Sequence, residues 1–256
     1  SIFNSLQFQK EILIEIKGLN FKFINPNHIT NWRLSTFETK EPETLDWIDN
    51  FSNNSIFWDI GANIGQYTLY AAKKIKNIKV YSFEPSVFNL EILARNIHIN
   101  KLDNISIITN PISKNINNDY FSLTNTDWGG ALSNFSTTLN WEGNDMAVKL
   151  RYKTFSLDIK TLVENFKVEL PNYLKIDVDG NEHIILESFG DYIKHVDQVL
   201  IEVNDNYIEH KTSIEKFLSL NNFQLLKKEQ SDLIKKFPKS FHQSYNQIWI
   251  NNEKNR

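Results

Sequence analysis

Carboxylates that close apolar runs are the residues of this chain with the clearest capacity for chemistry. Asp59 follows Phe57-Trp58 and leads into a turn, Gly61-Ala62-Asn63-Ile64-Gly65. Glu84 ends Val80-Tyr81-Ser82-Phe83, and Asp177 and Asp179 end Tyr173-Leu174-Lys175-Ile176 ahead of Gly180. Glu202 and Asn204 end Val199-Leu200-Ile201. A carboxylate at a strand end can accept both hydroxyls of a ribose, take a proton from a nucleophile, or ligate a hard cation. Glycines let the turn bend sharply and approach a ligand closely. The helix expected after Gly65 offers unpaired N–H groups to an anionic group.

The turn reads G-x-N-x-G, not the six-position G-x-G-x-x-G of dinucleotide binders. Asn63 stands where a glycine is usual, and Asn tolerates left-handed backbone. Glu84 lies about 20 residues on, the span of one strand–helix–strand unit. Turn and acid together point to a nucleoside cofactor with its ribose on Glu84. Asn110 closes the next strand, Ile105-Ser106-Ile107-Ile108-Thr109, near the place an adenine would then occupy.

These residues need a scaffold of alternating strands and helices. Ile12 to Ile16 and Phe21 to Ile24 alternate on either side of the glycine turn Lys17-Gly18-Leu19-Asn20 and read as a hairpin. Glu43 to Phe51 has helical spacing behind Pro42 and would feed the strand that ends at Asp59. Glu43 and Thr44 on that helix are candidates to touch the cofactor, with helix capping the competing reading. Asn89 to Ile97, Leu157 to Phe166 and Ile214 to Leu220 read as helices, and Leu150 to Phe155 as an exposed strand. Ser113 to Val148 reads as a long irregular loop over the site. Phe223-Gln224-Leu225-Leu226 and Gln247-Ile248-Trp249-Ile250 read as a closing antiparallel pair. The expected fold is α/β, a mostly parallel sheet covered on both faces. The expected division is residues 1–50, a hairpin-and-helix appendage, and residues 51–256, the cofactor-binding domain.

With 256 residues the chain has ample length for a sizeable core. Its net charge of −3 is mixed along the sequence and gives no broad grip on nucleic acid. The absence of cysteine excludes disulfides, zinc thiolates and a thiol nucleophile. No apolar run is long enough to span a bilayer. Ser1-Ile2-Phe3-Asn4 lacks a basic-then-apolar signal pattern, so a cytoplasmic location is expected.

Four stretches together carry a family resemblance: Trp58 to Gly65, Phe83-Glu84-Pro85, Phe155-Ser156-Leu157-Asp158, and Leu174 to Glu182. Trp128-Gly129-Gly130 is also similar. In these the chain resembles the FkbM family of S-adenosylmethionine-dependent methyltransferases, over roughly Glu41 to Val203. The family usually has Glu where Asp179 stands. The resemblance implies a class I methyltransferase sheet, Rossmann-like and seven-stranded with a reversed terminal strand. It implies O-methylation of a sugar or glycan hydroxyl, as in polysaccharide biosynthesis, with a small natural product as the alternative acceptor. Asp59, Gly61, Asn63, Gly65, Glu84 and Pro85 would hold S-adenosylmethionine, and Tyr67 would approach the carboxylate end of that donor.

A sugar hydroxyl is a poor nucleophile at neutral pH and needs help in losing its proton. Asp177 is the candidate for that role, against a capping carboxylate for the next helix. Asp177, Glu202 and Asn204 could alternatively hold Mg²⁺, although the chain lacks the adjacent acid pair of metal-dependent relatives. Trp128 is a candidate lid or sugar platform. His183 and His210 are candidate acceptor contacts, weighed against a surface position for His183. Two other classes compete: a nicotinamide-dependent oxidoreductase, disfavoured by the glycine spacing, and a binding protein without catalysis.

Overall fold

The computed structural model of the chain describes residues 10–236 and 242–254. The opening Ser1 to Asn4, read above for a signal pattern, lies outside the described residues. A hairpin, β1 (Glu11–Ile16) and β2 (Leu19–Ile24), is followed by α1 (His28–Ser35), α2 (Phe37–Lys40) and α3 (Pro42–Asp49). The alternating part then runs β3 (Ile56–Ile60), α4 (Gln66–Lys74), β4 (Lys79–Phe83), α5 (Val87–Asn100) and β5 (Ile105–Ile108). Three strands intervene, β6 (Asn118–Leu123), β7 (Ser133–Phe135) and β8 (Leu150–Phe155). The chain closes through β9 (Tyr173–Ile176), α6 (Glu182–Ser188), β10 (Gln198–Asn204), α7 (Ile208–Leu220), β11 (Phe223–Glu229) and β12 (Ser244–Asn251).

Among the described residues, seven strands form the main sheet in the order β11-β12-β10-β9-β3-β4-β5. From β10 to β5 neighbouring strands are parallel, and β12 runs antiparallel to both its neighbours. This is the expected α/β sheet with a reversed terminal strand. The connections diverge between β3 and β9, and open α/β sheets bind their ligands at such a switch point.

Each central strand is apolar on both faces, as a doubly covered parallel sheet requires. One face buries Phe57, Tyr173, Leu200 and Ile248 against Phe21 and Phe23 of the hairpin, Trp47 of α3 and Tyr70 of α4. The other buries Trp58, Leu174, Ile176, Val199 and Ile201 against Ile185 of α6 and Leu218 of α7. Lys175 lies on the first face and is 1% exposed. No helix among the described residues is long and apolar enough to cross a membrane.

Two expectations need correction. Ser113 to Val148 is not irregular throughout: β6 and β7 join β8 in a separate antiparallel sheet ordered β7-β6-β8. The helix expected from Leu157 to Phe166 runs from residue 159 to 165 and is π-helical over Thr161–Asn165; it starts late because Leu157 is held by its bridge to Ile112. Helices α1 and α2 were not legible, since α1 buries only Thr30 and Leu34 and so lacks an apolar stripe.

Candidate functional site

The turn after β3 is forced by contact with β9. Gly61 has φ +89, and a Cβ there would lie 1.8 Å from the carbonyl oxygen of Asp177. Only glycine lets the two strand ends come this close. The turn is fixed further by the Phe83 carbonyl, which accepts from Gly61 N and Ala62 N, both at 3.0 Å. Asn63 has φ 51, and its amide nitrogen donates at 2.8 Å to the carbonyl of Gly130. Asn89 of α5 donates to that same carbonyl at 3.0 Å and accepts from Gly129 N at 2.9 Å. The Trp128-Gly129-Gly130 loop is thereby pinned across the carboxyl end of the sheet.

Beneath it lies a cleft of about 620 Å³, lined among others by Gly61, Asn63, Glu84, Pro85, Asn110 and Asp177. Glu84 is 4% exposed, and its two oxygens accept from Asn63 N and Ser86 N, each at 2.8 Å. Burial raises its pKa to about 7 despite those bonds and the charge of Arg33. A carboxylate has about four lone-pair sites, so capacity remains for ligand hydroxyls. The amide of Asn110 at the far end donates to the Phe155 carbonyl at 2.9 Å.

A second cavity, about 990 Å³, opens on the other side of Asp177. Both cavities are lined by Ala131, Asp177 and Asp179. Asp177 accepts from the ammonium of buried Lys175 at 2.8 Å. Burial alone would raise its pKa, but Lys175, Lys40 and Arg33 outweigh burial and hold the carboxyl below its usual range. Lys175 in turn stays charged, since Asp177, Asp59 and Glu41 overcome its own burial. Asp179, with left-handed φ 61, accepts from Leu132 N at 2.6 Å. Burial and the facing Asp177 raise its pKa to about 6.

The loop carrying these two acids is held from below. Glu182, 1% exposed, accepts from Val178 N and Gly180 N at 3.0 Å and from His210 Nε2 at 2.7 Å. Sequence reasoning missed this strut, because nothing in the spacing of Glu182 and His210 indicates that α6 and α7 pack together.

Several sequence-derived candidates lie elsewhere. Asp59 is fully buried behind the turn, where it accepts from Thr68 Oγ1 at 2.6 Å and lines neither cavity. Gly65 lines neither cavity. It caps α4 with φ +88, where a Cβ would meet Leu93 and Leu69. The α4 N-terminus therefore does not face the cleft. Tyr67 points to the opposite side and donates to Glu41 Oε2 at 2.8 Å. Glu43 lines the second cavity, not the first, and accepts from Asn246 at 2.7 Å, while Thr44 is buried away from both. His183 is half-buried against His210 and Tyr207, and His210 is occupied by Glu182, so neither histidine lines either of these two cavities. Trp128 packs on the hairpin-side core, and the tryptophans on the second cavity are Trp32 and Trp141.

The cation site of Asp177, Glu202 and Asn204 does not form. Asn204 donates its amide N–H to the Trp141 carbonyl and accepts at its Oδ1 from Asn206 N, and Asp177 is taken by Lys175. Among the described residues no three His, Asp or Glu side chains gather as a metal would need.

A family model described as "Methyltransferase FkbM domain" matches residues 59–229, about two thirds of the chain. The chain belongs to the FkbM methyltransferase family. The chemistry is methyl transfer from S-adenosylmethionine, and the nicotinamide reading falls with that match. Among curated relatives, Hexuronic acid methyltransferase AglP of Haloferax volcanii is 22% identical over 201 residues, covering 75% of this chain and 74% of AglP. Methyltransferase 1 of Beauveria bassiana is 26% identical over 172 residues, covering 61% of this chain and 67% of that protein. A solved S-adenosylmethionine-dependent methyltransferase from Aquifex aeolicus matches with TM-score 0.48 and 10% identity over 89% of this chain and 98% of its own.

Proposed function

We propose that this FkbM protein is an O-methyltransferase that transfers the methyl group to a sugar hydroxyl. The observation that carries the reading is that two cavities meet at Asp177 and Asp179, of which Asp177 is the carboxyl held below its usual range. The relationship to a protein named for hexuronic acid methylation supports a sugar as the acceptor.

The residues of the cleft suit the donor. Glu84 would take the ribose hydroxyls, with Pro85 and Asn110 beside the adenine and Gly61 and Asn63 at the opposite end. Asn63 Oδ1 is buried without a partner, an acceptor that a ligand N–H would satisfy. S-adenosylmethionine supplies an electrophilic methyl group on a positively charged sulfur. Alignment of acceptor and methyl group can contribute ~7–11 kcal/mol to lowering the barrier, and the rigid junction of β3 and β9 provides it. Asp177 orients the acceptor hydroxyl. As the new oxygen–carbon bond forms and the sulfur–carbon bond breaks, the hydroxyl proton passes to the Asp177 carboxylate. Because Asp177 is a weak base, it takes that proton late, when the hydroxyl has become acidic. Lys175 keeps it ionised beforehand.

Asp177→Asn tests this. Turnover of labelled donor should fall by ~10²–10⁴-fold, while calorimetry with S-adenosylhomocysteine shows unchanged affinity. A variant that methylates sugars at the parent rate removes Asp177 from the reaction. A parent protein that binds S-adenosylhomocysteine yet labels no saccharide contradicts the sugar reading.

A further inference from the structure

Asp177 reaches the junction of the two cavities from a loop, not from a strand. The loop leaves β9 after Ile176, passes Asp179 at φ 61 and Gly180 at φ +129, and enters α6 at Glu182. Asp177 N itself donates to the Ile60 carbonyl at 3.0 Å. Past that point the N–H groups of Val178 and Gly180 both go to the Glu182 carboxylate. That carboxylate is held in turn by His210 Nε2 of α7, at 2.7 Å. The side chains of Glu182 and His210 are 2% and 3% exposed, so no solvent is at hand to replace either partner.

The same histidine reaches the second chamber by another route. Its ring stacks on Tyr207, with centroids 5.5 Å apart and planes at 14°. The Tyr207 ring lies against Gly143, where an added Cβ would come within 3.2 Å of it. Gly143 N donates to the Asn140 carbonyl at 2.9 Å, closing the turn that carries Trp141, a wall of the chamber. That turn also touches the loop directly: a Cβ on Gly180 would lie 3.1 Å from the Asn140 carbonyl oxygen and 3.2 Å from Trp141 Cα. His210 thus stands where the support of Asp177 and the support of Trp141 join.

Burial would raise the Glu182 carboxyl, but the bonds from His210 and Val178 N outweigh it and hold the carboxyl below its usual range. An ionised carboxylate only accepts, so the His210 hydrogen is on Nε2. His210 Nδ1 is left buried without a partner. An apolar side chain would pack here without that orphan, so what the imidazole contributes is the N–H it gives to Glu182.

We propose that Glu182 and His210 are positioning residues for methyl transfer: together they fix the backbone of residues 178–180, so that Asp177 keeps a set place between the donor cleft and the Trp141 wall. Neither touches the methyl donor or the acceptor. The inference rests on the reading of Asp177 given above.

The test uses the full chain, labelled S-adenosylmethionine, and the methyl glycosides of a hexose and of its uronate as acceptors. His210→Leu removes the N–H and keeps much of the bulk, whereas His210→Gln offers Glu182 an amide N–H. Well below both melting temperatures, His210→Leu should lower kcat by ~10²-fold, the effect of a displacement of about 1 Å. Affinity for S-adenosylhomocysteine should stay close to the parent's, because Glu84 and Asn63 are held from β4 and the turn after β3. His210→Gln should recover most of kcat. Leu218→Ala, fully buried elsewhere on α7, controls for lost stability and should melt lower yet keep kcat. Glu182→Gln keeps the shape but sets an N–H against one of its three hydrogen-bond donors. It should also lose kcat with S-adenosylhomocysteine affinity kept, and it carries the test if His210→Leu does not fold. Parent-rate turnover in the folded variants, a loss that His210→Gln does not restore, or an equal loss in Leu218→Ala overturns the inference. In those cases a dead Asp177→Asn shows that the reading of Asp177 still stands. A parent protein that labels neither glycoside overturns the sugar reading and this inference with it.

Discussion

Gly61→Ala probes the join between the turn after β3 and the strand that carries Asp177. At φ +89 an alanine pays for left-handed backbone, ~1–2 kcal/mol. Its Cβ would also lie 1.8 Å from the Asp177 carbonyl oxygen, well inside van der Waals contact, so β3 and β9 must separate by more than an ångström. Overpacking of that kind costs a further ~1–3 kcal/mol. Gly18→Ala is the matched control, because Gly18 has φ +79 with nothing within 4 Å of the added Cβ, so only the backbone effect applies. For a chain of this size, ~1 kcal/mol shifts the melting temperature by ~2–4 °C. Gly61→Ala should thus melt clearly below Gly18→Ala in a thermal scan. A displacement of ~1 Å at the reacting groups costs ~10²-fold in rate, so the surviving folded Gly61→Ala should also lose turnover and donor affinity, whereas Gly18→Ala keeps both. Equal melting of the two variants, with S-adenosylhomocysteine affinity intact in Gly61→Ala, would refute the close-approach argument.

Two more expectations concern charge. The Glu84 pKa, raised by burial to about 7 from 4.5, means that the folded protein holds this proton more tightly than the unfolded chain. The stability this provides is complete below about pH 4.5 and is lost as pH rises through about 7. Ribose hydroxyls favour the ionised form, so donor binding should release a proton near pH 6.5 and tighten as pH rises toward 8. Calorimetry in buffers of different ionisation enthalpy reads this, and an affinity flat between pH 6 and 8 rules it out. Asp179, with a pKa raised to about 6, titrates at the lower edge of that window. Lys175→Met leaves Asp177 and Asp59 without their shared buried cation. The pair it breaks is one-quarter exposed at Asp177, so the loss should be ~1–3 kcal/mol rather than the full cost of a buried pair. The acid limb of the kcat profile should move to higher pH. An unmoved limb would show that Lys175 does not hold Asp177 ionised.

What could be read from the sequence was the set of residues whose position follows from strand geometry alone. Gly61, Asn63, Glu84, Pro85, Asn110 and Asp177 follow the carboxyl ends of parallel strands, and all of them line the cleft. Side chains on helices were not legible in the same way. Their direction depends on how each helix rolls against its neighbours, so Tyr67, Thr44, His183 and His210, candidate donor or acceptor contacts from the sequence, line neither cavity. Asp59 failed for a related reason. Alternation along β3 turns it inward with Phe57, toward Lys175 in the register of β9. The chamber walls were missed because they come from distant segments. Trp32 and Trp141 are far apart in sequence and meet only after the α1–α3 region folds back over the sheet.

The most direct measurement is calorimetric titration of S-adenosylhomocysteine into the parent protein and into Glu84→Gln and Glu84→Ala. Hydrogen bonds to a charged group contribute ~1.5–3 kcal/mol each. A buried acid that clasps the ribose therefore predicts affinity weakened by at least about tenfold in the isosteric variant and more in the truncated one. Undiminished binding by both folded variants would contradict the cleft as the donor site, and with it the account built on Asp177.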